Sequence, residues 1–259
     1  MHAQPSRTDP SGRGRRAEDA RPASLEHEEV HLWWHRLEPG EPSSAALACL
    51  DAEEARRAER FRRREDARAF RARRVFLRST LARYLGCEPG ELVFGKGEFD
   101  KPVLVSPDPS LAFNLARSGE WILLGVARER AIGVDVERLD ASLREERELE
   151  RLAARVLSEG ELTRWTALPK EQRAPAFVRG WARKEALLKA LGLGLSREPN
   201  TVEMGLEPLG PLEARPLEEH LFPGAEGALL LDLVAPSGHA ASVVAAGRSW
   251  NLLLCSRAA

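Results

Sequence analysis

Residues 133–137, Gly133-Val134-Asp135-Val136-Glu137, and residues 181–189, Trp181-Ala182-Arg183-Lys184-Glu185-Ala186-Leu187-Leu188-Lys189, decide how this chain reads. The first stretch closes an apolar, strand-like run. In it Ile132, Val134 and Val136 alternate with Gly133, Asp135 and Glu137, so a strand places the apolar residues on one face and both acids on the other. Gly133 then leaves room for a ligand to approach the backbone. The second stretch is helical. Phe177, Trp181, Leu188 and Leu191 recur at helical spacing, Pro175 suits a first turn, and Gly192 follows the end. Together the two stretches offer three carboxylates, Asp135, Glu137 and Glu185, and two lysines, Lys184 and Lys189. Hard oxygen ligands flanked by cations suit a divalent metal holding a polyphosphate. Plainer readings exist for each part: an edge strand with a solvated acidic face, and a surface Glu185–Lys189 pair worth about 0.3 kcal/mol.

Lysine usage adds weight to the second stretch. Of 39 basic residues only Lys96, Lys101, Lys170, Lys184 and Lys189 are lysine. Where arginine is the default, a retained lysine points to a need for a compact point charge.

Composition bounds the rest. A length of 259 residues with 43% hydrophobic content supports one or two domains with a real core. A net charge of -1 argues against a protein governed by nucleic-acid or membrane electrostatics. Cys49, Cys87 and Cys255 are odd in number, fit no zinc or disulfide pattern and suggest a reducing cytoplasm. No apolar run is long enough for a membrane span, and the Arg- and Pro-rich start lacks the apolar core of a signal peptide. Residues 1–28 read as a disordered tail and 249–259 as a C-terminal tail, flanking one half over 29–131 and a second over 132–248. Val30–Trp34 reads as a strand. Asp51–Leu85 reads as a long helical stretch, broken once and ended by Gly86. Its arginines are interleaved with Glu53, Glu54, Glu59, Glu65 and Asp66, which favours a salt-bridged helix over a nucleic-acid patch. Strands follow at 92–94, 103–105, 111–115, 121–127 and 131–137, then helices over 143–168 and the motif helix, then strands at 229–234 and 240–246. Each half therefore runs strand, helices, strands.

In order, Arg60-Phe61, Arg74 with Leu77-Arg78, Lys101-Pro102, Phe113-Asn114-Leu115, the Gly-x-Asp-x-Glu stretch and Trp-x-x-Lys-Glu-x-x-x-Lys with Gly192 and Gly194-Leu195 resemble the surfactin-synthetase-activating type of 4'-phosphopantetheinyl transferase. The resemblance runs from about Val30 to Ala246. It implies an α+β fold of two similar α/β halves in a pseudo-two-fold arrangement, with coenzyme A in the cleft between them. It implies transfer of the phosphopantetheine arm to a serine of an apo acyl or peptidyl carrier protein, with 3',5'-ADP leaving. It further implies a cytoplasmic monomer without nucleic-acid or membrane partners. Asp135, Glu137 and Glu185 match the family's magnesium ligands, and Glu185, Asp135 and Lys189 its catalytic groups. Arg74, Lys101, Arg117, Ser118, Lys184 and Lys189 match positions around the coenzyme. Glu161 matches a usually acidic position of structural character, and Trp181 reads as core.

Two departures stand out. After Phe-Asn-Leu the family usually shows Ser-His-Ser, whereas this chain has Ala116-Arg117-Ser118. Arg117 keeps a cation there that is charged at every working pH. Asp100 replaces the usual glycine before Lys101-Pro102. The six histidines, at 2, 27, 31, 35, 220 and 239, lie outside the motifs, so none is a catalytic base. A catalytically impaired homologue that only binds coenzyme or carrier is the alternative these departures favour, and the intact acids and lysines oppose it.

Overall fold

The computed structural model describes residues 24–139, 145–193, 197–210, 213–222 and 227–255. Most of the expected N-terminal tail, Gly194-Leu195 and residues 256–259 lie outside the described residues. The first half of the chain forms β1 (Glu29–Arg36), α1 (Ser44–Leu47), α2 (Ala52–Glu59), α3 (Arg64–Leu85), β2 (Val93–Lys96), β3 (Pro102–Ser106), β4 (Leu111–Ser118) and β5 (Trp121–Arg128). The second forms β6 (Ile132–Arg138), α4 (Glu146–Val156), α5 (Glu159–Thr166), α6 (Lys170–Leu191), β7 (Ala214–Pro216), β8 (Ala228–Asp232), β9 (His239–Ala246) and β10 (Asn251–Cys255). The fold is α+β: two four-stranded sheets, ordered β10-β1-β5-β4 and β6-β9-β8-β7, with β2-β3 as a separate hairpin.

The break expected in the 51–85 stretch falls at residues 60–63. Asp51 starts α2 with a reciprocal capping box to Glu54, and Gly86 ends α3 in the left-handed conformation at φ 62°. Arg78 is wholly buried and ties the two helices together. Its guanidinium donates to Asp51 and Glu54 and to the carbonyls of Pro89 and Leu92. Leu77, Leu81 and Phe76 on one side of α3 pack on Trp33, Phe113, Ile122, Leu124 and Val126 of the first sheet.

Two expectations need correction. The tail at 249–259 contains β10, which pairs in parallel with β1, Val30 opposite Leu252 and Trp33 opposite Cys255. The run Leu252-Leu253-Leu254 was too short to signal a strand alone; it becomes one because β1 offers an open edge. Pro175 lies inside α6, which begins at Lys170 after Pro169. The proline removes only a bond to the exposed Glu171 carbonyl, near the helix start where such losses are small.

The halves meet where the outer strand of each sheet lies against the other. Asn114 of β4 accepts a hydrogen bond from the Val134 backbone N–H at 2.9 Å, and the Ser118 hydroxyl accepts from the Arg138 N–H at 3.0 Å. Side chains of β4 thus satisfy the open edge of β6, which would otherwise leave buried donors unpaired. Behind this seam lies a core shared by both sheets: Val30, Leu32, Leu123 and Ala127 from the first, and Val134, Val136, Val243 and Ala245 from the second.

The far face of β1 carries a buried polar chain. The Trp33 indole donates to the Tyr84 hydroxyl at 2.7 Å, and that hydroxyl lies 2.8 Å from His31 Nδ1. The Tyr84 proton therefore goes to Nδ1, leaving the Nε2 proton for Glu29 at 3.3 Å. Burial lowers the His31 pKa below its ordinary 6.5, against the opposing pull of Glu29. The unfolded chain then binds more protons than the folded one below about pH 6.5. Stability present above that pH is lost as pH falls through it. The denaturant midpoint should drop between about pH 7.5 and pH 5.5, and His31→Asn should flatten that segment. A midpoint equally steep in the variant would assign the acid loss to another group.

Candidate active site

Gly133 fixes the site for a reason other than the one its position suggested. A Cβ at residue 133 would overlap the Ala186 carbonyl oxygen and the backbone of Ala190. The glycine admits α6, not a ligand, and lets the helix lie directly on β6. That contact aims one stripe of α6, Trp181, Glu185 and Lys189 at i, i+4 and i+8, at the acids of β6. The edge of β6 is consequently not solvated: Asp135 is 3% exposed.

Lys189 Nζ lies 2.5 Å from Asp135 Oδ1. The other carboxylate oxygen, Asp135 Oδ2, is buried without a hydrogen-bond partner, and so is Glu185 Oε1. Burial pushes the Asp135 carboxyl up to about 8; Lys189 pulls it down, and Glu137 and Glu185 push it further up. Burial also raises Glu185 against the pull of Lys189. Glu137 is raised by burial too, but two neutral donors hold it: the Trp181 indole on Oε1 at 3.1 Å and the Ser118 hydroxyl on Oε2 at 3.4 Å. Among the described residues no three His, Cys, Asp or Glu side chains already converge as a metal cage. The Lys189 ammonium occupies Asp135 Oδ1 and leaves Oδ2 open.

Lys101 sits across the seam. Its ammonium donates to the carbonyls of Ile132 and Ala190 at 3.1 and 3.4 Å, and burial without an acidic partner lowers its pKa to about 8. Two of its three protons are used, which leaves one for a ligand. Asp100 beside it has φ 61°. This left-handed conformation is the one glycine adopts without strain, and aspartate tolerates it better than most side chains.

Three residues that the resemblance assigns to the coenzyme already have partners within the chain. Lys184 is not in the cleft. It is completely buried, 2.5 Å from Glu161, and donates to the carbonyls of Val156, Pro199 and Val202. One residue before Glu185 on a helix is a rotation of about 100° away, enough to turn Lys184 into the second half's core. Glu161, read as structural, is also fully buried and accepts from the backbone N–H groups of Ser158, Met204 and Gly205. Arg74 is neutralised by an ion pair with Glu54. Ser118 turns its hydroxyl to Glu137.

Arg117, on the opposite face of β4 from Ser118, is exposed and donates to the Gly119 carbonyl at 3.2 Å. It belongs to a cluster that the sequence reading missed. Arg73 and Arg57 both lie over the Phe70 ring, at 5.6 and 5.4 Å. Burial, with Arg117, Arg74 and Arg57 nearby, lowers the Arg73 pKa to about 10. Among the described residues no carboxylate pairs with Arg57, Arg73 or Arg117. Arg57 and Arg60 line an open depression of about 660 Å³ with Glu53, Arg56 and Phe61. The signal in the sequence was the Arg73-Arg74 doublet, of which helix phase lets only one reach Glu54.

Lys184→Met should cost about 3–5 kcal/mol of folding stability, as expected for breaking a buried ion pair, measured by denaturant unfolding. The folded fraction should keep its affinity for coenzyme A. Unchanged stability with a weakened coenzyme affinity would return Lys184 to the cleft.

Residues 131–244 match the 4'-phosphopantetheinyl transferase superfamily, and residues 38–129 match the 4'-phosphopantetheinyl transferase N-terminal family. The 4'-phosphopantetheinyl transferase HetI of Nostoc sp. is 36% identical over 231 residues, covering 88% of this chain and 92% of that protein. A 4'-phosphopantetheinyl transferase of Bacillus subtilis is 29% identical over 150 residues, 58% of this chain and 63% of its own length. The human L-aminoadipate-semialdehyde dehydrogenase-phosphopantetheinyl transferase is 28% identical over 170 residues, 63% of this chain and 55% of its own. The two family matches fall on either side of the β4–β6 seam that builds the site, and the chain belongs to the 4'-phosphopantetheinyl transferase superfamily, enzymes that move the phosphopantetheine arm of coenzyme A onto carrier proteins.

Proposed function

We propose that the cleft between the halves, 29–131 and 132–248, performs this transfer with magnesium, and that the leaving group is 3',5'-ADP. The observation that carries the reading is the pair of buried, unpartnered oxygens, Asp135 Oδ2 and Glu185 Oε1, beside the Lys189 ammonium. Buried carboxylate oxygens without donors are costly unless a cation completes them. The donor set is all oxygen, which suits a hard ion. The residues present therefore fit magnesium, with Asp135 and Glu185 as ligands and Glu137 beside them. Bound there, the ion would neutralise charge on the pyrophosphate oxygens.

The chain's own groups do the rest. Lys189, released from Asp135, meets the pyrophosphate as a point charge, and the remaining proton of Lys101 meets it from the seam. Arg117, Arg73 and Arg57 take the other coenzyme phosphates, because among the described residues no carboxylate pairs with these three. Glu185, with a carboxyl raised by burial, accepts the proton of the attacking serine hydroxyl, directly or through water. The serine oxygen bonds to the β-phosphorus, and the bond to the bridging oxygen breaks with its electron pair leaving on the nucleotide. The acceptor is an apo acyl or peptidyl carrier protein. Three free cysteines support action in the cytoplasm, and no helix among the described residues is long and apolar enough to cross a membrane. We read the working unit as a monomer.

Intact-mass analysis of apo carrier proteins incubated with the enzyme, coenzyme A and magnesium tests the reading. One phosphopantetheine should appear per carrier, with EDTA abolishing it and magnesium restoring it. No gain with acyl and peptidyl carriers that a working transferase modifies would overturn it. Glu185→Gln should reduce turnover on the order of 100-fold or more. The same change should raise the melting temperature of the metal-free protein, since it removes a charge that burial disfavours.

Arg73→Ala and Arg117→Ala should each raise the Michaelis constant for coenzyme A by about 10-fold or more, as for a lost hydrogen bond to a charged group, with the carrier constant unchanged. Arg74→Ala should instead lower stability, because it strips Glu54 Oε1 of its guanidinium and leaves Arg78 on Oε2 alone. Equal constants in the wild type and Arg73→Ala would remove Arg73 from the coenzyme site.

A further inference from the structure

We propose that Ser118 and Trp181 are positioning residues that hold the Glu137 carboxylate in one orientation, so that this acid's place in the cation site is set jointly by both halves of the protein. The inference rests on the reading of Glu137 as part of that site. Of the three acids, Glu137 alone has both oxygens hydrogen-bonded, to Trp181 Nε1 at 3.1 Å and Ser118 Oγ at 3.4 Å. Asp135 and Glu185 each keep a buried oxygen free. The donors come from different places, Ser118 from β4 of the first half and Trp181 from α6 of the second. Neither is itself loose. The Ser118 oxygen is fixed by the Arg138 N–H at 3.0 Å, and the Trp181 ring packs with the apolar cluster of Phe177, Val178, Val156 and Leu157.

The arrangement has a chemical consequence. Each neutral donor favours the charged form of Glu137 and opposes the rise that burial imposes. Each also occupies one lone-pair direction on its oxygen, so the directions that remain are fewer and fixed. A carboxylate on a flexible side chain would otherwise swing between the cleft and the cavity of about 680 Å³ that Ser118, Glu137, Phe177 and Trp181 line. Ser118 and Trp181 close that choice. The serine of β4 and the tryptophan of the helix motif thereby both act on the third acid.

The test uses Mn²⁺ alone as the probe, titrated calorimetrically into the full-length protein without coenzyme or carrier, so that it reads the site independently of turnover. Wild type, Ser118→Ala, Trp181→Phe, Glu137→Gln and the Trp181→Phe/Glu137→Gln double variant are compared. Trp181→Phe keeps the ring and removes only the donor; Ser118→Ala removes a single oxygen, so at least one should fold. Each should weaken Mn²⁺ binding by about 10-fold, the usual effect of losing a group that orients a metal ligand. In the Glu137→Gln background, Trp181→Phe should weaken it less than about 2-fold, because partners in one network are not additive. Equal weakening in both backgrounds would show that the indole acts by packing and would overturn the inference. Wild-type affinity in Ser118→Ala and Trp181→Phe would overturn it as well. Wild-type Mn²⁺ affinity in Glu137→Gln would remove Glu137 from the cation site and take this inference with it. Asp135 and Glu185 would be untouched by that result and answer separately to the EDTA and Glu185→Gln measurements.

Discussion

α6 rests on β6 with no side chain between them at residue 133, and the rest of the molecule is arranged around that contact. With the helix axis this near the strand, Trp181 reaches Glu137 and Lys189 reaches Asp135, with Glu185 on the turn between them. The reverse face of α6 is sent into the second half's core, where Arg183 and Lys184 have no exposure at all. Those two buried cations clamp the segment around Pro199–Glu207 through its carbonyls, with Asp232 and Glu161 as counter-charges. One close approach therefore sets both the exposed chemistry of the helix and the internal polar network that keeps it rigid.

The seam between the sheets solves a second problem. β6 needs an open edge to bring its acids to the cleft, yet an open edge inside a protein leaves donors unpaired. Asn114 and Ser118 supply oxygens where a neighbouring strand would have supplied carbonyls. Because those oxygens are on side chains, the two strands stay apart far enough for Ser118 to serve Glu137 as well. The asparagine of the Phe-Asn-Leu stretch serves this backbone.

The acids concentrated at this seam are unfavourable in isolation. Burial and mutual repulsion hold the Asp135 carboxyl up to about 8, and Lys189 opposes that rise. Such stored electrostatic strain is common where a protein binds a charged ligand, and it is what a cation bound there would relieve. The Arg57–Arg73–Arg117 cluster is the opposite half of the same design, cations kept free of acids while Arg74 and Arg78 are neutralised by Glu54 and Asp51.

The sequence by itself determined the inventory and its periodicity. The alternation at 132–137, the helical stripe ending at Gly192, the broken charged helix over 51–85 and the strands between them were all legible, because period and caps are local properties. So was the family, from motifs in order. What the tertiary structure decided was which of two adjacent charges faces the cleft. Lys184 and Glu185, and Arg73 and Arg74, are neighbouring charges on helices that differ in direction, as Arg117 and Ser118 do on a strand. Neighbours on a helix diverge by about 100° and neighbours on a strand point to opposite faces. Which direction is inward follows from the packing of whole elements, from β10 closing on β1 to α6 settling on Gly133, and no local pattern carries that information.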